Sequence, residues 1–245
     1  MKKHILQEIP NAITCCNLIS GCIAVAFALS GNIQTAFNFI IIGAVFDFFD
    51  GFSARMLGVS SPIGKELDSL ADVVTFGLAP SAIVFTILRD MVWPSWLSWG
   101  HTTLPFVAFI IAAFSALRLA KFNLDKRQTS SFIGLPTPAN ALFWASLLAG
   151  FENFFKSSET LSFSIIIILL ALCCYLLISE IPMFALKFKH WRWEGNEVRY
   201  LFLATSILLI VLLGWNAFAA VIAWYVFLSF LNIQIGKEQI TEDDN

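Results

Sequence analysis

The sequence predicts an all-α fold, a polytopic bundle of about eight transmembrane helices with the N- and C-termini cytoplasmic. Three observations predict it. The 245 residues are 58% hydrophobic and 13% charged, with a mean hydropathy of +0.78, too apolar for a soluble domain. The apolar residues come in runs long enough to cross a ~30 Å hydrocarbon core. The cations between those runs fall almost entirely on one side once the runs are taken as alternating spans. Twenty-five phenylalanines suit lipid-facing surfaces. The net charge of −2 is carried in short loops and identifies no partner, and no basic stripe for nucleic acid exists outside them. Cys15, Cys16, Cys22, Cys173 and Cys174 all lie in apolar runs without metal or disulfide spacing, and read as small buried hydrophobes.

Residues 1–30 mimic two export signals. Lys2 and Lys3 precede an apolar run ending Ala26-Phe27-Ala28, as in a signal peptide, and Ile19-Ser20-Gly21-Cys22 resembles an acylation site. The run is nevertheless long enough to span and many more follow, so the first helix is placed at about Ile13 to Leu29, with Pro10-Asn11 at its start. The second is placed at Ile33 to Leu57 and the third at Pro62 to Leu88, separated by a short loop around Gly58 and Pro62. The fourth runs from Leu104 to Phe122, the fifth from Pro138 to Phe155 and the sixth from Leu161 to Ile178. Tyr200 to Leu213 and Trp215 to Ile233 make the seventh and eighth, with only Gly214 between them.

This arrangement puts Lys2, Lys3, Arg55, Lys65, Arg118, Lys121, Lys126, Arg127, Lys187, Lys189, Arg192, Arg199 and Lys237 inside, and only Arg89 and Lys156 outside. Trp93, Trp96 and Trp99 fall in an outer loop, where an interfacial belt is expected. Residues 182–199, basic and aromatic, read as an amphipathic stretch on the inner surface. A single membrane domain covers residues 1–235, followed by a mobile acidic tail at 236–245.

One stretch contradicts the apolar background. Asp47 to Asp72, DFFDGFSARMLGVSSPIGKELDSLAD, carries Asp47, Asp50, Asp68, Asp72 and Arg55 within two predicted spans. A charge inside a membrane helix costs roughly 2.5–3.5 kcal/mol even on a lenient scale, so four carboxylates call for a function. At 100° per residue Asp47, Asp50, Gly51, Ala54 and Arg55 share an arc of roughly 140°, while the neighbouring phenylalanines mostly point elsewhere. Gly64, Asp68 and Asp72 recur every fourth residue and form one stripe on the next helix. The two acidic faces can meet near the inner surface as an oxygen-only cluster suited to Mg²⁺ or Mn²⁺. Gly51, Ala54 and Gly64 allow close helix approach or leave room for a ligand. The competing readings are a structural network of acids paired with Arg55 and Lys65, and an acidic ion path in a channel or transporter.

At this stretch the sequence resembles the CDP-alcohol phosphotransferases. Their signature, D-x2-D-G-x2-A-R-x8-G-x3-D-x3-D, is met by Asp47, Asp50, Gly51, Ala54, Arg55, Gly64, Asp68 and Asp72. The flanks are similar to the type II phosphatidylserine synthase branch: Ile9-Pro10-Asn11, the segment Ser61 to Asp72, Phe76-Gly77-Leu78-Ala79-Pro80, Arg118 to Asn123 and Gly134-Leu135-Pro136-Thr137-Pro138. Lys121 departs from the arginine more usual at its position.

The resemblance implies transfer of a phosphatidyl group from CDP-diacylglycerol to L-serine, at the cytoplasmic face of a prokaryotic cell membrane, with two divalent cations, Mg²⁺ or Mn²⁺. It implies metal ligation by Asp47, Asp50 and Asp68, with Asp47 and Asp68 bridging both ions. Asp72 would contact the second ion and act as general base. Gly51, Arg55, Ser61 and Asn11 would bind CDP-diacylglycerol: Gly51 by letting the nucleoside approach the backbone, and Arg55 by holding phosphate. Ser61 and Asn11 can equally be plain helix caps.

Serine brings a carboxylate, so a cation near the cluster is needed, and Arg118 backed by Lys121 is the candidate. Both can instead be snorkelling to the interface. Asn123, Thr137 and Asn140 could serve the serine ammonium or position the loop, while His4, His101 and His190 read as surface residues. Homodimerisation is implied by the resemblance alone. The alternatives are a sibling transferase using glycerol 3-phosphate or inositol phosphate, for which a larger Arg/Lys cluster would be expected, and a divalent-cation transporter.

Overall fold

A computed structural model describes residues 2–59, 61–125, 132–157, 159–184, 192–193 and 196–243. The first two apolar runs form an antiparallel hairpin, α1 (Lys2–Leu29) and α2 (Ile33–Leu57). Gly31 turns the chain at a φ of 86°, and the Asn32 side chain accepts the Thr35 amide at 3.1 Å to cap α2. Unlike the expected boundary, α1 runs through Pro10 and Asn11, so Asn11 is no cap. A proline two turns into a helix forfeits one backbone bond there, and α1 continues across it.

α2 ends on Gly58, whose φ of 61° is the left-handed stop expected of that residue. After the short loop, α3 (Pro62–Asp72), a π-helical turn at Val73–Leu78 and α4 (Ala79–Asp90) make one long rod. Thr75 and Thr86 on this rod donate to the Asn17 and Ala28 carbonyls of α1, at 3.0 and 2.9 Å. The two rods therefore run parallel and are pinned roughly three turns apart. Thr75 is accommodated because Gly21 and Gly43 face it; a Cβ on Gly21 would stand 2.8 Å from the Thr75 Cα.

The next span is a 3-10 segment, Leu104–Phe109, continuing as α5 (Ile110–Leu124). Two-residue strands β1 (Phe132–Ile133) and β2 (Pro182–Met183) pair antiparallel and flank α6 (Thr137–Gly150), α7 (Glu152–Ser157) and α8 (Glu159–Ile178). The fully buried Trp144 places α6 at the centre of the core, together with Phe37 and Phe76.

Six stretches are long and apolar enough to cross a membrane: residues 8–29, 33–57, 62–90, 104–124, 160–178 and 197–231. The protein is an integral membrane protein of all-α architecture. Length and hydropathy alone recover six stretches where eight were expected, for two reasons. α6 has 14 residues and rises only about 21 Å, so the fifth expected span is short, and its chain continues as the separate α7. The last two expected spans make one continuous apolar stretch, which a short turn at Gly214–Asn216 divides into two helices, α9 (Glu197–Leu213) and α10 (Ala217–Asp243). The Trp224 indole donates to Thr205 at 2.9 Å and Tyr225 packs on Phe202, so the two halves fold back on each other.

The two ends of the bundle differ in charge as expected. Arg89 donates to the Leu29 carbonyl and the Val92 amide to that of Lys156, gathering at one end the two cations expected outside. Lys65 reaches the Asn123 carbonyl at the other end, where Arg55, Arg118 and Lys121 also lie. Trp96 and Trp99 are exposed as an interfacial belt requires, but Trp93 turns inward, its indole donating to the Leu88 carbonyl and its ring on Phe163. Cys173 and Cys174 are buried, whereas Cys15 and Cys22 are exposed on the outer face of α1, which corrects the expectation for those two. Residues 185–191 and 194–195 of the expected amphipathic stretch, with His190, lie outside the described residues, as do Lys126 and Arg127.

The Gly21–Thr75 contact makes a direct test of the packing of α1 against the π-helical turn of the α3–α4 rod. Gly21→Val should lower stability by roughly 1–3 kcal/mol through overpacking, seen as a lower melting midpoint in detergent. An unchanged midpoint would show that the two rods can part without cost.

Candidate active site

The α2–loop–α3 geometry brings the acids together at the end of the bundle that carries Arg55 and Lys65. Helix periodicity sets Asp47 and Asp50 on the inward face of α2, while Phe48, Phe49 and Phe52 are exposed on its outer side. Ser61 starts α3 by accepting the Gly64 amide at 2.8 Å, which aims the Gly64–Asp68–Asp72 stripe at α2. One carboxylate oxygen each from Asp47, Asp50 and Asp68 lies within 4.8 Å of the others. Asp72 stands beside this trio, within hydrogen-bonding range of Asp47 and 8% exposed.

Among the described residues, no lysine or arginine nitrogen reaches ion-pair distance of these acids. Lys65 points to Asn123 instead, and Arg55 is exposed, its guanidinium folded over Gly51. The structural network of acids paired with Arg55 and Lys65 is therefore not formed. An all-oxygen donor set without countercharge fits a hard divalent cation such as Mg²⁺ or Mn²⁺.

Two residues of α1 complete the cluster, and neither was singled out from sequence for this role. The Thr14 hydroxyl donates to Asp50 at 2.7 Å, and the Asn17 amide donates to Asp72 at 3.3 Å. Both are buried, and the Asn17 Oδ1 has no hydrogen-bond partner. Thr14 and Asn17 are one turn apart, so a polar pair at helical spacing facing an acidic helix was the available signal.

A cavity of about 270 Å³ opens beside the trio. Its walls include Asn11, Thr14, Asp50, Gly51, Ala54, Ser61, Gly64, Lys65 and Asp68. The small residues leave this space open: a Cβ on Gly64 would stand 2.9 Å from Asn11 Oδ1 and 3.0 Å from Ser61 Oγ. Ser61 is thus both a cap and a wall residue. Arg118 lies apart from this cavity. It is 7% exposed, donates to Thr137 at 3.4 Å, stacks over Phe122 and stands within electrostatic reach of Asp72. With Lys121 it lines a second cavity between the ends of α5 and α8. Burial and these contacts remove simple snorkelling as the account of Arg118, whereas Lys121 is exposed.

The family model described as CDP-alcohol phosphatidyltransferase matches residues 7–177, which include the whole acidic cluster and its α1 partners. The chain belongs to this family. Relatives include the CDP-diacylglycerol–serine O-phosphatidyltransferase of Bacillus subtilis (strain 168), 34% identical over 196 residues, covering 78% of this chain and 96% of that protein. The protein of the same description from Methanocaldococcus jannaschii is 32% identical over 203 residues, covering 83% of each chain. That of Mycobacterium tuberculosis (strain ATCC 25618 / H37Rv) is 34% identical over 151 residues, 59% of this chain and 50% of the relative. Divalent metal use is general in the family, which agrees with the donor set.

The short Thr14–Asp50 bond predicts an effect on metal affinity. Thr14→Val keeps the volume but frees the Asp50 carboxylate, and should weaken Mn²⁺ binding about tenfold or more, read by electron paramagnetic resonance titration. Affinity equal to that of the unsubstituted protein would mean that Asp50 is held without it.

Proposed function

We propose that the protein transfers the phosphatidyl group of CDP-diacylglycerol to the hydroxyl of L-serine, giving phosphatidylserine and CMP, at the cytoplasmic face of a prokaryotic cell membrane. The observation that carries this reading is the carboxylate trio beside the 270 Å³ cavity, in a chain whose relatives bear this activity's name. Asp47, Asp50 and Asp68 are suited to hold two divalent cations, Mg²⁺ or Mn²⁺, with Asp72 contacting the second. When bound, such cations offset the pyrophosphate charge and stabilise the departing CMP.

The protein's own groups do the rest. The nucleotide occupies the cavity, where Gly51 admits it close to the backbone and Asn11 and Ser61 supply hydrogen bonds. Arg55, folded over Gly51 at the cavity's edge, meets a donor phosphate as a cation that stays charged. Asp72, set to the side of the trio and held by Asn17, takes the serine hydroxyl proton as the serine oxygen bonds to the diacylglycerol-linked phosphorus. The bond from that phosphorus to the bridging oxygen breaks, and CMP leaves with the electron pair. Arg118, with Lys121 behind it, faces the serine carboxylate. The acyl chains remain in lipid throughout.

Purified protein in detergent with Mg²⁺ or Mn²⁺ tests this, by CMP release from CDP-diacylglycerol with serine, glycerol 3-phosphate, inositol phosphate or no acceptor. Serine-dependent release is expected, falling about a hundredfold or more in Asp72→Asn. Release driven by a phosphorylated acceptor would keep the family and overturn the substrate.

A further inference from the structure

Between α5 and α6 the fold buries four polar side chains in one stripe. Arg118 of α5 donates to Thr137 of α6 at 3.4 Å, and this bond sets the register of the two antiparallel helices. One turn towards the centre of the bundle, Ser115 lies on the same face of α5 and Asn140 on the same face of α6. Both steps run about 4.5 Å in the same direction, away from the end that carries Lys121. Ser115 also backs onto the π-helical turn, where a Cβ on Gly77 would stand 3.2 Å from the Ser115 Cβ. Ser115, Thr137 and Asn140 are fully buried. Yet the Ser115 hydroxyl, the Arg118 Nε and both amide atoms of Asn140 have no hydrogen-bond partner in the protein.

Buried polar groups are nearly always paired with protein or with ordered water, and water settles where several such groups converge. It has a way in here, because Arg118 also lines the second cavity, about 370 Å³, between the ends of α5 and α8. The guanidinium belongs to the 104–124 stretch, apolar enough to cross a membrane, where a cation with N–H donors to spare is held by hydration. We infer that Ser115, Arg118 and Asn140 enclose a buried water site, which reaches from Arg118 towards the π-helical turn. Its water accepts from the Arg118 Nε and the Asn140 amide nitrogen, and donates to the Asn140 oxygen or the Ser115 hydroxyl. Ser115 and Asn140 thereby position the guanidinium without touching it. This hydration holds Arg118 whichever acceptor the enzyme uses.

The test uses the full-length protein in detergent. X-ray pulses make hydroxyl radicals from water itself, so a buried thiol is oxidised quickly only where water touches it. In Ser115→Cys the introduced thiol should oxidise about tenfold or more faster than Cys173 and Cys174, which lie in the apolar core of the same molecule and serve as the dry reference. A rate equal to theirs would overturn the inference. A second readout does not depend on that variant. Asn140→Leu nearly conserves volume, and removing an amide that has no partner at all would leave stability unchanged or raise it. An amide that shares water with Ser115 and Arg118 gives the opposite sign. The melting midpoint should fall by about 2–4 °C, and Ser115→Ala should cost less in the Asn140→Leu background than alone. An unchanged or raised midpoint, or strictly additive losses, would overturn the shared water.

Discussion

The mutual repulsion of four carboxylates inside a membrane protein is the constraint on which the rest of the structure turns. Asp47, Asp50, Asp68 and Asp72 are brought together without a lysine or arginine in ion-pair range among the described residues. Such a cluster would push its helices apart unless other contacts held them. Those contacts come from uncharged groups. Thr75 and Thr86 tie the α3–α4 rod to the α1 backbone, Gly21 and Gly43 let that rod sit close, and Thr14 and Asn17 fix individual carboxylates. Neutral hydroxyls and amides orient the acids without neutralising them, which leaves their charge available to a metal.

The acidic faces were legible because helix periodicity is local. Spacings of three and four residues decide which side chains share a face, and Asp47/Asp50 and Gly64/Asp68/Asp72 follow that rule. The Gly58 stop and the Ser61 cap are equally local and appear where the residues call for them. The features that were not legible depend on distant partners. Thr14 and Asn17 look like ordinary interruptions in an apolar run until α2 and α3 are placed beside them. Trp93 differs from Trp96 and Trp99 only because Leu88 and Phe163 are there to receive it. α6 lies at the centre, where neighbours on several sides cover Trp144, and no hydropathy window reveals that position.

The π-helical turn at Val73–Leu78 links the two halves of this logic. It begins at the residue after Asp72, so the acidic face of α3 and the buried face of α4 belong to one rod and yet need not share one helical phase. Upstream of it the rod presents carboxylates, and downstream it presents Ala79, Ile83 and Ile87 to the core. Thr75, within the turn, makes the contact with α1 that fixes where the phase changes.

α2 has a further consequence. The helix that carries Asp47 and Asp50 on its inner side exposes Phe48, Phe49 and Phe52 on the other, so the acid cluster sits one helix diameter from an exposed apolar face. For the lipid donor of the proposed reaction, the relevant encounter takes place in two dimensions. Its supply is set by its mole fraction among neighbouring lipids and by lateral diffusion, while the acceptor arrives from the aqueous phase. Enlarging the membrane at a fixed amount of donor would therefore slow the enzyme, although nothing dissolved in water had changed.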